Sequence, residues 1–132
     1  MLETKPKVTA MDPVWRRVCE EAVDAIRQEP LLGGLIHSGL LHHSSLERAL
    51  AYRFSLKLAS GEMSEQILRE IADQAYDSDP DIGAAARSDL MAVYERDPAC
   101  HRFLQPLLFF KGYQAVQAYR IGHWLWQTGR ID

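Results

Sequence analysis

Apolar positions recur at intervals of three and four along nearly the whole chain. Val14, Trp15, Val18, Ala22, Ala25 and Ile26 carry the first such stripe, with Arg16, Arg17, Glu20, Glu21 and Asp24 between them. That spacing predicts a helix with one buried face and one wet face. Asp12–Pro13 predicts its start, because aspartate accepts the free N–H groups of a first turn and proline has no N–H to lose there. Glu29–Pro30 ends it. The next stretch, Leu31–His42, holds Gly33, Gly34 and Gly39. Each glycine weakens a helix by about 1 kcal/mol relative to alanine, so a helix here implies something that approaches the backbone closely.

Ser44 and Glu47 have capping-box spacing and predict a helix through about Ala59, closed by Ser60–Gly61. Ser64 predicts the cap of a helix to about Tyr76, with Met63 and Leu68 placed for a hydrophobic staple. Asp79–Pro80 and Asp97–Pro98 repeat the Asp-Pro opening of Asp12–Pro13, and Ile82, Ala85, Ala86, Leu90, Val93 and Tyr94 keep helical period between them. A last long helix is predicted over about Gln105–Thr128, closed by Gly129. No stretch of five residues alternates like a half-buried strand, and no repeat of solenoid length can be aligned. The expected class is all-α: one multi-helix domain over residues 12–132 behind a flexible tail at 1–11.

Composition agrees and narrows the partners. The chain has 132 residues, 47% hydrophobic and 25% charged, enough for one domain that buries roughly two-thirds of its unfolded surface. A net charge of −3 argues against binding that works by neutralising phosphates, so no nucleic-acid partner is expected. The longest apolar run, Pro106–Phe110, is far short of the ~20 residues a membrane helix needs. Met1–Ala10 has Lys5 and Lys7 but no apolar core of a signal peptide. A cytoplasmic protein with no membrane partner is expected. Cys19 and Cys100 do not make a disulfide framework. The aromatic density of the final helix, with Tyr113, Tyr119, Trp124 and Trp126 beside Val116 and His123, calls for burial against the chain's own core or against a further domain or subunit.

Few residues offer chemistry. His37 and His42 are five apart and His42 and His43 are adjacent, neither of which is ligand spacing on an α-helix, and no H-E-x-x-H is present, so these read as structural or capping histidines and no metal is expected. His123 between Gly122 and Trp124 reads as a core or interface residue. Cys19 and Cys100 read as small buried hydrophobes. No Walker A, G-x-G-x-x-G or G-x-S-x-G motif occurs. Asp73, Asp77, Asp79 and Asp81 read as a solvated face with turn residues, while Asp89 and Glu95 lie on different faces of one helix. Asp97 is open to two readings: a cap that accepts backbone N–H groups, or a carboxylate presented to a ligand's ammonium group.

One region is specific. Arg96-Asp97-Pro98-Ala99, then Pro106-Leu107-Leu108 with Lys111-Gly112, then Gln117-Ala118-Tyr119-Arg120-Ile121-Gly122-His123-Trp124-Leu125-Trp126, resembles the N-terminal helical domain of bacterial serine O-acetyltransferase. Asp12-Pro13-Val14-Trp15, Glu29-Pro30-Leu31-Leu32, His37, His43, Leu46 and Ala49-Leu50-Ala51-Tyr52 agree with it, so the resemblance spans Asp12 to Arg130. It implies a helical domain followed by a left-handed parallel β-helix of hexapeptide repeats. In that family the β-helix holds the acetyl-CoA site and the catalytic histidines, so no catalytic or cofactor-binding residue is expected within these 132 residues and acetyl-CoA is a co-substrate. The substrate-binding residue the resemblance carries over is Asp97, which would contact the amino group of L-serine and of the feedback inhibitor L-cysteine. His101 stands where an acidic residue is usual, and no role is carried to it.

The resemblance further implies a hexamer built as a dimer of trimers, and contact with O-acetylserine sulfhydrylase through a C-terminal tail outside this sequence. The chain by itself is expected to be inactive. The alternative is a non-catalytic helical interaction module of the same ancestry. A metal- or haem-binding bundle using His37, His42 and His123 is the remote third reading.

Overall fold

The computed structural model describes residues 12–129, and every regular element in that range is helical. The expected tail at 1–11 lies outside the described residues. Helix α1 spans Pro13–Gln28; a 3₁₀ turn (Pro30–Leu32), α2 (Gly33–Ile36) and a π turn (His37–Leu41) follow as one compound segment. Then come α3 (Leu46–Leu58), α4 (Glu65–Ser78), α5 (Pro80–Arg96), α6 (Leu104–Phe109) and α7 (Lys111–Gln127).

Local chemistry sets most boundaries. The Asp12 carboxylate accepts from the Val14 N–H at 3.0 Å, Ser64 Oγ from Ile67 at 3.2 Å and Asp79 from Asp81 at 3.1 Å, each where the pattern places a cap. The third helix is capped one residue later than its spacing suggests: Ser45 Oγ, not Ser44, accepts from Arg48 N at 3.2 Å. Glu47 then stands in the first turn of the helix, from which its carboxylate reaches Arg87 of another helix. The single long helix expected over 105–128 is two helices, because Phe110 leaves the helical region (φ −93°, ψ 103°). Gly129 at φ 75° ends the second, as expected of a glycine in the left-handed region.

Helices α3 and α4 make the most extensive helix–helix contact, and α7 packs against α3, α4, α5 and α6. Small side chains allow this: Ala49, Ala51, Ala72, Ala75 and Ala86 are all buried. Around them lie Trp15, Val18, Ile36, Leu40, Leu46, Leu90, Leu107 and Ile121 in one continuous core. The aromatic C-terminus divides. Tyr113 is buried with its hydroxyl donating to Ala86 O at 3.0 Å, which burial accompanies by raising the phenol above its ordinary pKa. Tyr119 and Trp126 are 69% and 66% exposed, with His123 stacked on Tyr119 and tilted against Trp126.

A cluster of charges ties three elements together. Arg87 of α5 donates to both Glu47 oxygens (2.8 and 3.0 Å), to Asp12 at 2.5 Å and to Gly83 O at 3.0 Å. Burial alone would raise the Glu47 carboxyl, but the Arg87 hydrogen bonds and charge outweigh it and hold it below its usual value. Gly83 makes room for this arrangement, since a Cβ there would overlap the Glu47 carboxylate. Gly83→Ala is therefore expected to destabilise by about 1–2 kcal/mol in urea unfolding, although alanine is intrinsically better in a helix by about 1 kcal/mol. Gly122→Ala in α7, where nothing lies within 4 Å of the added methyl, is expected to stabilise. If both variants gained stability, Glu47 would not be confined.

The compound segment 30–41 follows from its glycines. Only Gly39 has a close neighbour that crowding would disturb: a Cβ there would meet Arg53 Nη2 at 2.9 Å and Leu108 at 3.5 Å. The widened π turn also brings the His37 and His42 rings to 6.5 Å despite their spacing of five. His43 is buried, its Nε2 donating to Ser38 O at 2.9 Å while Nδ1 faces Arg69 at 3.5 Å. Burial lowers its pKa below the ordinary histidine value, outweighing the opposing Ser38 bond. The unfolded chain thus binds the proton more readily, so stability contributed here is present above about pH 6.5 and is lost as pH falls below it. Urea midpoints are expected to decline from pH 7 to pH 5.5, less steeply in His43→Gln; equal slopes would remove His43 as the cause.

Candidate functional site

Asp97 sits where α5 ends, and Pro98 is the reason the helix ends there. A residue before proline is pushed out of the α region, and Asp97 adopts φ −95°, ψ 111°. Unlike the first two Asp-Pro pairs, this one opens a turn and not a helix. Asp97 Oδ1 accepts from Ala99 N and its carbonyl from Cys100 N, both at 2.9 Å. The next N–H groups, of His101 and Arg102, are taken by Gln105 Oε1 at 2.5 and 2.9 Å, so the chain is captured locally before α6 begins.

The turn is braced from three sides. Arg102 reaches α1 at Asp24 (2.9 Å), Gln28 (3.2 Å) and the Glu21 carbonyl (3.4 Å). Leu104 N donates to Glu21 Oε1 at 3.1 Å. Tyr94 and Phe103 meet edge to face at 4.9 Å beneath the Arg17 guanidinium, which also donates to the Tyr94 hydroxyl at 2.9 Å. Cys100 packs under the turn, its thiol donating to Arg102 O at 3.3 Å, and burial raises its pKa. It behaves as the small hydrophobe the sequence suggests.

What this rigid turn presents is one half-used carboxylate. Oδ1 is held by Ala99, while Oδ2 has no protein partner among the described residues. Asp97 is half-buried on the wall of an open concavity of about 460 Å³, lined also by Ala92, Val93, Arg96 and Pro98. One Asp97 oxygen thus holds backbone, as the capping reading expects, and the other has no partner among the described residues. Arg96, exposed at the rim without an ion-pair partner among the described residues, was not singled out by sequence reasoning; its adjacency to Asp97 was the available signal. Nor did the sequence reveal the brace of Arg17, Tyr94, Phe103 and Arg102, whose partners are some eighty positions away.

The other candidates lie apart. Among the described residues the exposed His101 is engaged only through its backbone. Asp73 and Asp77 pair with Arg48 of α3 and Asp79 caps α5, so much of the acidic run is structural. Asp89 accepts from Gln117 and Arg120, both at 2.9 Å. Cys19 is half-buried, and burial raises its thiol pKa. Among the described residues no group of three His, Cys, Asp or Glu side chains is arranged to hold a metal ion, and no helix is long and apolar enough to cross a membrane.

The fold and site together define an all-helical domain that holds a single carboxylate at a braced helix–turn junction. The family described as serine acetyltransferase, N-terminal, matches residues 14–118, and the chain belongs to that family. Serine acetyltransferase of Salmonella typhimurium is 44% identical over 120 residues, covering 91% of this chain and 44% of the relative. The Neisseria gonorrhoeae serine acetyltransferase solved in complex with serine superposes with a TM-score of 0.85 at 43% identity, over 92% of this chain and 51% of that one. A serine acetyltransferase solved in complex with cysteine gives 0.85 at 43% identity, over 89% and 48%. The chain therefore spans about half the length of the proteins it matches.

Proposed function

We propose that this chain is the helical part of a serine O-acetyltransferase and supplies Asp97 to the site that binds L-serine and the inhibitor L-cysteine. The observation that carries the reading is the free Asp97 Oδ2 on a turn held rigidly by its other oxygen. An amino acid binds as a zwitterion, and its ammonium group needs an anionic partner once part of its water is removed. A carboxylate already fixed by Ala99 N–H loses little freedom on binding, so the serine hydroxyl is oriented as well as held. Acetyl-CoA, the co-substrate, and the base that deprotonates the hydroxyl are assigned to the β-helical part of the family fold. The hydroxyl oxygen then attacks the thioester carbonyl, giving O-acetylserine and the thiol of coenzyme A.

The exposed face of Tyr119, His123 and Trp126 supports a role in assembly, consistent with the dimer of trimers that the resemblance implies. A cytoplasmic location, and a partnership with O-acetylserine sulfhydrylase through a tail beyond residue 132, belong to the same reading. The test is direct. The polypeptide extended past residue 132 is assayed for acetyl transfer from acetyl-CoA to L-serine, with and without L-cysteine. Transfer inhibited by cysteine supports the reading; absence of transfer in a folded extended chain overturns it.

A further inference from the structure

A cleft more enclosed than the concavity at Asp97 lies between α3 and α7, about 370 Å³ in volume and within the range of small-molecule sites. Leu50, Phe54 and Leu58 from α3 and Ala115, Ala118 and Ile121 from α7 form its apolar lining. Its charged lining is entirely cationic: Arg53, Lys57 and Lys111. Arg53 is the anomaly. Four other half-buried arginines that join helices each meet a carboxylate, Arg48 with Asp73, Arg87 with Glu47, Arg102 with Asp24 and Arg120 with Asp89, and a fifth, Arg69, lies over the Tyr52 ring and faces His43. Arg53 has no ion pair or hydrogen-bond partner among the described residues, and burial lowers its pKa, the neighbouring Tyr52 opposing this only in part. A half-buried guanidinium without an anion is costly, and an anion entering the cleft would remove that cost. Lys111 opens α7, whose first turn has no acidic residue and no side-chain cap, so the positive end of the helix adds to the same field.

We propose that this cleft binds a small amphipathic carboxylate, its head on Arg53 with Lys57 and Lys111 nearby and its aliphatic tail along Leu50, Phe54, Leu58 and Ile121. A tail of roughly eight to ten carbons matches a cleft of this size. A bidentate guanidinium–carboxylate pair fixes the head, and burial of methylene groups supplies the rest of the affinity. The inference is independent of Asp97, which lies on a different junction.

The test is calorimetric titration of the 132-residue chain with decanoate below its micelle concentration. Saturable one-site binding is expected, with Kd on the order of 100 μM for a ligand of this size. Decanol and decyltrimethylammonium, which keep the tail and lose the anion, are expected to bind at least tenfold more weakly. Arg53→Met is expected to weaken decanoate at least tenfold, and Ala118→Trp, which fills the cleft from its partly exposed wall, to abolish binding. Circular dichroism establishes that each variant folds; if Arg53→Met does not, Ala118→Trp decides. No saturable binding, equal binding of the three ligands, or decanoate binding that survives Ala118→Trp would overturn the proposal.

Discussion

Arg87→Met is expected to lower unfolding stability by about 2–4 kcal/mol and Tm by on the order of 10 °C. The reason is the number of groups left behind. Removing the guanidinium strands Glu47, which is bonded through both oxygens, and releases Asp12, whose other oxygen caps α1. Removing one member of a fully buried pair costs about 3–5 kcal/mol, and these side chains are roughly a quarter exposed, so the lower range applies. Glu47→Gln should cost less, because one hydrogen bond to Arg87 survives. The double variant should cost less than the sum of the two, since both act on one cluster. Arg16→Met on the wet face of α1 is the control, expected within about 0.5 kcal/mol of the parent. A loss below about 1 kcal/mol for Arg87→Met would reduce the cluster to an ordinary surface ion pair.

Asp97→Asn in the extended polypeptide should act in the opposite sense, sparing stability and removing recognition. Asparagine keeps an oxygen for the Ala99 N–H, so the turn survives and Tm changes little. The group opposite the ligand ammonium becomes neutral. Hydrogen bonds to charged groups are worth about 1.5–3 kcal/mol, so kcat/KM for serine should fall by roughly 10–100-fold. Inhibition by cysteine should weaken by a similar factor, because the inhibitor carries the same ammonium group. Steady-state kinetics with both ligands reads the two effects together. Unchanged cysteine inhibition would remove Asp97 from the site even if serine turnover fell.

Much of the architecture was legible because helices announce themselves locally. The three- and four-residue spacing of Val14, Trp15, Val18 and Ala22, and the caps at Asp12, Ser64 and Asp79, involve residues within a turn of one another. Errors arose where distant partners decided a local choice. Ser44 and Ser45 are equally good caps by type, and the one that caps leaves Glu47 facing Arg87, forty positions away. Asp97–Pro98 has the same dipeptide as Asp79–Pro80, but Gln105 intercepts the N–H groups that a helix would have used. The break at Phe110 has no proline or glycine at that residue to mark it, and Gly112 follows two positions later inside the new helix.

By itself the sequence determined the all-helical class, the Asp12, Ser64 and Asp79 caps and, through Arg96-Asp97-Pro98-Ala99 and the motif at 117–126, the family. These depend on short-range hydrogen bonding and on side-chain type. Only the tertiary structure decided that Asp97 keeps one oxygen free, that Arg102 and Arg17 hold its turn against α1, and that Arg53 faces an apolar cleft without an acid. Those facts depend on which surfaces meet when α1, α3, α5 and α7 pack, and a pattern with a period of one helical turn carries no information about partners eighty residues away.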